Sequence, residues 1–168
     1  MRRRGGKTIR LDRLDLKILA ALQCAGRMSH LELAETVGLS ATPCTQRVRR
    51  MEAAGYIRGY GAQLDIDRIC GNVVVFTEIT LRNHRRADFL RFEQGIQAIP
   101  QILTCFLVTG GYDYLAQIIA RDIHDYQVTV DGLLERDLGI EKYFSYVTLR
   151  QVKRSPGYPL AELVAQSE

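Results

Sequence analysis

Hydrophobic and polar positions recur at helical spacing in two short segments near the start of the chain. The first begins after Asp12, whose side chain can cap a helix, and ends at Gly26. Its apolar positions are Leu14, Ile18, Leu19 and Leu22. The second begins at Ser29, where Glu32 completes a capping box, and ends before Gly38. Its apolar positions are Leu31, Leu33, Ala34 and Val37.

A third segment has the same periodicity. It begins at Ser40 and ends at Gly55. Pro43 lies in its first turn, where the missing backbone N–H removes no helical hydrogen bond. Its inward positions are Cys44, Val48 and Met51. The following stretch, YIRGYGAQLD, predicts a short β ribbon. Three short helices with tight turns and a ribbon are the plan of a winged helix-turn-helix, and Gly38 permits the left-handed turn at its corner.

After Gly71 the pattern changes to alternating strands and helices. NVVVFTEITL predicts a strand, and a helix over about 87–98 ends before Pro100. ILTCFLVT and YLAQIIA predict two further strands, and a helix capped by Asp122 runs to Gly139 before a fourth strand, YFSYVTLRQV. The order βαββαβ is the ferredoxin-like arrangement, so the predicted fold class is α+β.

These patterns predict two domains with short flanking segments. The expected division is a basic flexible tail (1–10), a helix-turn-helix domain (11–65), a linker (66–71), a C-terminal domain (72–155) and a C-terminal tail (156–168). The strands have apolar residues on both faces, for example Val75 and Phe76, whereas the helices cover only one face. We therefore expect a homodimer that buries the other face.

Charge is divided unevenly between these parts. The chain has a net charge of +4, but residues 1–65 alone have 12 Lys and Arg against 6 Asp and Glu. A basic N-terminal part predicts a partner that is a polyanion, although an uneven, inert surface has the same signature. The basic tail could add phosphate contacts.

The outward face of the third helix has the side chains that suit double-stranded DNA. Thr42, Thr45, Gln46 and Arg49 share this face, and we expect them to contact bases, because Arg and Gln pair with base edges in the major groove. The expected phosphate contacts are Ser40 at the helix start, Arg47 and Arg50, with Pro43 in the same turn. The alternative is a solvated arginine-rich face.

The stretch FLVTGGYDYLAQII interrupts two apolar runs with Gly110, Gly111, Tyr112 and Asp113. A hairpin turn explains the glycines, because such turns need positive φ. It does not explain Asp113 directly before a strand. Glycines also let a ligand approach backbone N–H groups, and a carboxylate can bind an ammonium group. The stretch is therefore either a turn or a cradle for a small amino acid.

No pattern indicates an enzyme, a metal site or a cofactor. The three histidines, His30, His84 and His124, lack metal-ligand or catalytic spacing and are expected at the surface. The four cysteines are scattered and no apolar run is long enough for a membrane helix, which predicts a cytoplasmic protein with free thiols and no membrane partner.

Two groups of residues carry a resemblance to a known family. LSATPCTQRVRRMEAAGYIRGY in the first half, and FLVTGGYDYLAQI with SYVTLRQVK in the second, resemble the Lrp/AsnC family of transcription regulators over about residues 11–155. The chain is similar to its leucine-responsive branch. The resemblance implies that the C-terminal half is an effector-binding domain of the RAM/ACT type, that sheets form the dimer, and that dimers assemble into octamers.

The resemblance also implies a function and an effector site. Family members bind pseudo-palindromic operators, made of two half-sites, near their own gene and amino-acid metabolism genes. Their effector, usually an amino acid, binds at the loop matching Thr109–Asp113, with Ser145 at a position where the family often has Thr or Ser. The chain departs from the family at Gly111, where Asp, Asn or Glu is common. Three alternatives stay open: a siroheme decarboxylase-like enzyme, an effector-blind DNA-binding protein, and a ligand-sensing partner protein that does not bind DNA.

Overall fold

The structure, a computed structural model, describes residues 9–164 of the chain. These residues form two compact units, which are described separately. One comprises the described residues up to Gln63 together with those from Lys153 onward, and the other runs Leu64–Val152. Most of the predicted basic tail and the last four residues of the predicted C-terminal tail lie outside the described residues. Within residues 9–164, no helix is long and apolar enough to cross a membrane.

The first unit contains the three predicted helices. They are α1 (Arg13–Cys24), α2 (His30–Val37) and α3 (Ala41–Ala53). Asp12 with Asp15, and Ser29 with Glu32, form capping boxes that start α1 and α2. Gly38 ends α2 with φ 75°, a left-handed conformation that a glycine adopts without strain. Ser40 occupies the N-cap position of α3, but its side chain makes no capping hydrogen bond.

One apolar core joins these helices. Its fully or nearly fully buried members are Ile18, Leu33, Ala34, Val37, Cys44, Val48 and Met51. Leu31, the remaining apolar position of α2, lies outside this core and is 61% exposed. A helix turns about 100° per residue, so Leu31 lies on the side of α2 opposite Leu33.

A buried carboxylate, that of Asp15, ties α3 to α1. The Asp15 side chain has no exposed surface, and one of its oxygens accepts a hydrogen bond from Arg47 Nη1 at 2.9 Å. The other accepts from Arg50 Nη2 at 2.5 Å and from the Asp12 backbone N–H at 3.0 Å. Arg47 also bonds Asp12 at 2.6 Å. The Asp15 backbone N–H and, second, the Arg47 guanidinium hold the pKa of Asp12 below its usual range.

The segment after α3 does not form the expected β ribbon. No strand occurs in residues 56–65. The Tyr60 hydroxyl donates to Glu52 of α3 at 2.8 Å, which holds the segment against the helix instead of pairing it with itself. Gly59 and Gly61 also disfavour a strand, because glycine has no side chain to pack and loses the most conformational freedom.

The C-terminal segment packs on α1 through a short helix, α6 (Leu160–Val164), which the sequence reasoning did not predict. The Gln23 side-chain amide bonds both backbone groups of Tyr158: its Nε2 donates to the carbonyl at 2.7 Å and its Oε1 accepts from the N–H at 2.8 Å. A side-chain carbon on Gly157 would overlap the Gln23 side chain. Gly157 therefore allows the backbone to approach Gln23 closely.

The second unit is a four-stranded antiparallel sheet with two helices. Its elements are β1 (Val73–Leu81), α4 (Arg86–Ile96), β2 (Ile102–Leu107), β3 (Tyr114–Ala120), α5 (Ile123–Glu135) and β4 (Ile140–Val147). The strand order β2-β3-β1-β4 is that of the ferredoxin-like arrangement, which confirms the predicted fold class. β4 starts at Ile140 rather than at the expected Tyr143, because Gly139, with φ 78°, turns the chain directly into pairing opposite Leu81.

The core of this unit lies on one face of the sheet. Val75, Ile79 and Leu81 of β1 are buried there with Phe92 of α4 and Leu133 of α5. The alternate residues of the strands point to the opposite face, which neither helix covers. Ile123 and Leu134, two apolar residues of α5, lie outside this core and are exposed by 43% and 42%.

We predict that the double variant Arg47→Ala/Arg50→Ala lowers the free energy of unfolding of the first unit by about 3–5 kcal/mol, because it leaves the Asp15 carboxylate buried and unpaired. Asp15→Asn should lower it less, since the arginines, 25% and 46% exposed, can then turn to water. Urea titration followed by circular dichroism measures both. Arg49→Ala is the matched control with no expected loss, and equal losses for the two variants would contradict the account.

We also predict that Gly157→Val releases the C-terminal segment from α1, because the new side chain displaces Gln23 from Tyr158. Hydrogen exchange of the Tyr158 amide should then be about tenfold faster, which corresponds to the loss of one or two hydrogen bonds. Gly61→Val is the control, since a side-chain carbon there meets no atom within 4 Å. Unchanged exchange in Gly157→Val would show that the Gln23 contact does not hold the segment.

Candidate functional site

The outward face of α3 presents three polar side chains to solvent. Thr42, Gln46 and Arg49 are exposed and lie within about 60° of one another around the helix axis. Within residues 9–164, none of the three side chains makes a hydrogen bond or ion pair. Their donors and acceptors are therefore free to bind a ligand. Thr and Gln offer both donor and acceptor groups, and Arg offers a planar fork of donors.

Thr45, the fourth residue predicted to contact bases, is placed differently. It is half-buried, and its hydroxyl lies 2.9 Å from Nδ1 of His30 at the start of α2. The sequence reasoning expected His30 only as a surface residue. Nothing in the local sequence indicates this pair, because the two residues are 15 positions apart and meet only when α2 and α3 pack.

The residues predicted to contact phosphates fall into two groups. Ser40 is exposed at the N-terminus of α3, next to backbone N–H groups that lack helical partners, and Pro43 is half-buried in the first turn. Arg47 and Arg50 are instead engaged by Asp15. Arg47 is only 25% exposed, and its guanidinium also bonds Asp12. The structure thus gives these two arginines a role in holding α3 that the sequence reasoning did not assign.

The loop that joins β2 to β3 is closed as a turn and has backbone N–H groups without a partner in the described residues. The Val108 N–H bonds the Asp113 carbonyl at 2.9 Å, which closes the turn. Only Gly110 has positive φ, 138°, so the expectation of positive φ at Gly111 is wrong. In the described part of the chain, the N–H groups of residues 109–112 make no hydrogen bond to protein. A side-chain carbon on Gly110 or Gly111 would meet no atom within 4 Å, so the loop is open to a ligand.

Asp113 sits at the inner end of this loop and already has protein partners. Its carboxylate is 15% exposed, accepts the Leu81 backbone N–H at 2.8 Å and lies 3.0 Å from Nε2 of His84. The sequence reasoning missed His84, because its loop position between β1 and α4 has no motif that marks it. Of the other loop residues, Thr109 is exposed and Tyr112 half-buried.

Ser145 is not brought together with this loop within one chain. It pairs with Thr77 in the middle of β1, whereas Asp113 bonds Leu81 at the end of that strand. Thr77 and Leu81 are four residues apart along β1, which corresponds to about 13 Å. Ser145 is linked instead to the core, because its hydroxyl lies 2.5 Å from the Tyr126 hydroxyl, which is 2.9 Å from that of Thr77.

Comparison with protein families agrees with both units. Residues 11–58 match a winged helix-turn-helix DNA-binding family, and residues 74–158 match the Lrp/AsnC ligand-binding domain. The chain is 44% identical over 146 residues to the transcriptional regulatory protein DoeX of Halomonas elongata, covering 87% of this chain and 92% of that protein. It is 40% identical over 154 residues to the leucine-responsive regulatory protein of Escherichia coli strain K12, covering 92% and 93% respectively.

A solved structure of a related regulator has the same fold. The transcriptional regulator NMB0573 of Neisseria meningitidis, in complex with L-methionine, is 32% identical and superposes with a TM-score of 0.84 over 92% of this chain and 99% of that chain. These relatives are named as regulators and not as enzymes, so the siroheme decarboxylase-like alternative receives no support. The chain, with its helix-turn-helix unit and its ligand-binding unit, belongs to the Lrp/AsnC family of transcription regulators.

Proposed function

We propose that the protein binds operators in double-stranded DNA sequence-specifically, regulates genes of amino-acid metabolism and is controlled by a small amino acid bound at the loop 109–113. The observation that carries this proposal is the outward face of α3. Its three exposed side chains have no protein partner among the described residues, while the neighbouring arginines are held by Asp15.

The chemistry of this face matches the major groove. Arg49 can donate two hydrogen bonds to guanine O6 and N7, and Gln46 can bond adenine N6 and N7. Thr42 lies in the first turn of α3, where its methyl group can contact thymine or its hydroxyl a phosphate. The exposed N-terminus of α3 at Ser40 suits a phosphate, because its N–H groups lack helical partners. In this arrangement Arg49 is the main determinant of base preference.

We predict that Arg49→Ala weakens operator binding by about 1–3 kcal/mol and relaxes the preference for one base pair in each half-site, because it removes a bidentate contact. Gel-shift titration against operator and scrambled DNA measures both effects. The matched control is Arg121→Ala, which removes the same charge from an exposed residue of the other unit. Operator affinity that is unchanged in Arg49→Ala would refute the assignment of Arg49.

The open face of the sheet supports a dimer. Phe76, Phe106, Phe144 and Tyr146 lie on this face and are exposed by 36%, 58%, 57% and 53%. Partial desolvation and, second, the neighbouring Glu78 carboxylate raise the pKa of Tyr146 above its ordinary value. An apolar patch of this kind on a soluble domain marks an interface, and a second copy offers the same surface. We propose face-to-face dimers, which would be the building blocks of the octamer expected from the family.

We predict that Phe144→Glu converts the dimer to a monomer, because two carboxylates would be buried in the symmetric interface without partners. Static light scattering at micromolar concentration measures the mass. The control is Leu149→Glu, which puts the same group on a residue that is 99% exposed and lies outside the strands. A wild-type protein that is monomeric in this measurement would refute the proposed dimer.

The effector proposal rests on the N–H groups of residues 109–112, which have no partner in the described part of the chain, and on the carboxylate of Asp113. An amino acid could place its carboxylate on the N–H groups and its ammonium group on Asp113. The related regulator from Neisseria meningitidis is described as an L-methionine complex, which supports an amino-acid ligand. Ser145 could join this site only from a neighbouring subunit, because within one chain it lies well away from the loop.

We predict that at least one of the twenty amino acids raises the melting temperature of the wild-type protein, and that Asp113→Asn abolishes this rise because the ammonium group loses its counter-charge. A thermal-shift screen measures this. Asp131→Asn, an exposed residue of α5, is the control. If no amino acid shifts the wild-type protein while DNA still binds, the protein is effector-blind and the effector proposal is wrong.

A further inference from the structure

The anchor proposed for the effector is already occupied by a side chain of the protein. Both carboxylate oxygens of Asp113 lie 3.0 Å from Nε2 of His84, and one of them also accepts the Leu81 N–H at 2.8 Å. The imidazole N–H thus stands where an ammonium group would have to bind. A ligand that uses Asp113 must displace His84 or share the carboxylate with it.

His84 is held weakly enough to be displaced. Its side chain is 56% exposed, compared with 15% for Asp113. Besides Asp113 its neighbour is the ring of Phe89 in α4, with centroids 5.9 Å apart and planes tilted by 49°. In the described residues it has no second hydrogen-bond partner. It lies between β1 and α4, where the backbone of His84 itself makes no hydrogen bond within the described residues, although the neighbouring Arg82 and Arg85 backbones do.

Asp113, in contrast, is fixed. Its N–H bonds the Ile79 carbonyl at 3.0 Å, its own carbonyl accepts the Val108 N–H, and its side chain accepts the Leu81 N–H. Three bonds to β1 and to the end of β2 hold the carboxylate in place whether or not His84 is present. Loss of His84 therefore frees a carboxylate that keeps its position.

We propose that His84 is a built-in competitor for the effector: its imidazole occupies Asp113 in the free protein, and the ammonium group of an α-amino acid takes its place on binding. This inference rests on the proposed effector function. His84 then sets the affinity of the site without contributing to the bound state. Its exposed ring leaves toward solvent, and the open glycines at 110 and 111 leave room for the ligand.

The test uses two substitutions of His84 with opposite expected signs. His84→Ala removes the competitor, and the dissociation constant of the amino acid should fall about two- to fivefold, because one hydrogen bond to Asp113 no longer has to be broken. His84→Arg replaces it with a permanent cation that forms a forked pair with Asp113, and the dissociation constant should rise. Isothermal titration of the full-length protein with each of the twenty amino acids measures both. His124→Ala, an exposed histidine at the start of α5, should change nothing.

A histidine that only orients Asp113 gives the opposite result. His84→Ala would then weaken binding, as Asp113→Asn does, and this outcome overturns the proposal. Equal affinities of wild type, His84→Ala and His84→Arg also overturn it, and the effector site itself still stands if Asp113→Asn abolishes binding. Binding of an amino acid by His84→Ala but not by wild type supports it. If neither protein binds any amino acid, both the competitor role and the effector site are refuted.

Discussion

The buried carboxylate of Asp15 is the constraint on which the DNA-binding unit depends. A buried charge is stable only when it is paired and fully hydrogen-bonded. Asp15 meets this condition by binding Arg47 and Arg50 from α3 and the N–H of Asp12. The pairing fixes α3 against α1 and determines which arginines remain available. Arg49, one helical step from Arg50, makes no ion pair within the described residues and points outward. We therefore propose that two of the three neighbouring arginines hold the helix and that the third, Arg49, contacts bases.

In the second unit, one face of the sheet forms the core and the other face is exposed. The core side contains the hydroxyl chain of Thr77, Tyr126 and Ser145, which satisfies the buried threonine. At the end of the sheet, backbone bonds fix Asp113, while the loop N–H groups have no partner among residues 9–164. Strand pairing thus places a fixed anion next to unpaired donors. In the proposed function this arrangement complements both charged ends of an amino acid, and in the further inference His84 competes with its ammonium group.

Local sequence patterns predicted the positions of the helices and strands, because these depend on interactions between residues close in sequence. Caps and apolar spacing located the helices to within a few residues, and β-branched runs located the strands, since these signals act over three or four positions. Contacts between distant positions were not predictable from such patterns. Nothing in the local sequence marks Asp15 as the partner of arginines 32 and 35 positions away. Likewise His84 and Asp113 are 29 positions apart. The β ribbon was wrong because Tyr60 bonds α3, a tertiary contact that overrides strand propensity.

The central claim is that Asp15 divides the arginines of α3 into two that hold the helix and one that contacts bases. Selection of binding sites from a random DNA library tests it most directly, with wild type and the Arg47→Met, Arg49→Met and Arg50→Met variants. The account predicts that only Arg49→Met loses the preference at one position of each half-site, while the other two select the wild-type sequence with weaker overall binding. Loss of base preference in Arg47→Met or Arg50→Met, with Arg49→Met unchanged, would contradict it.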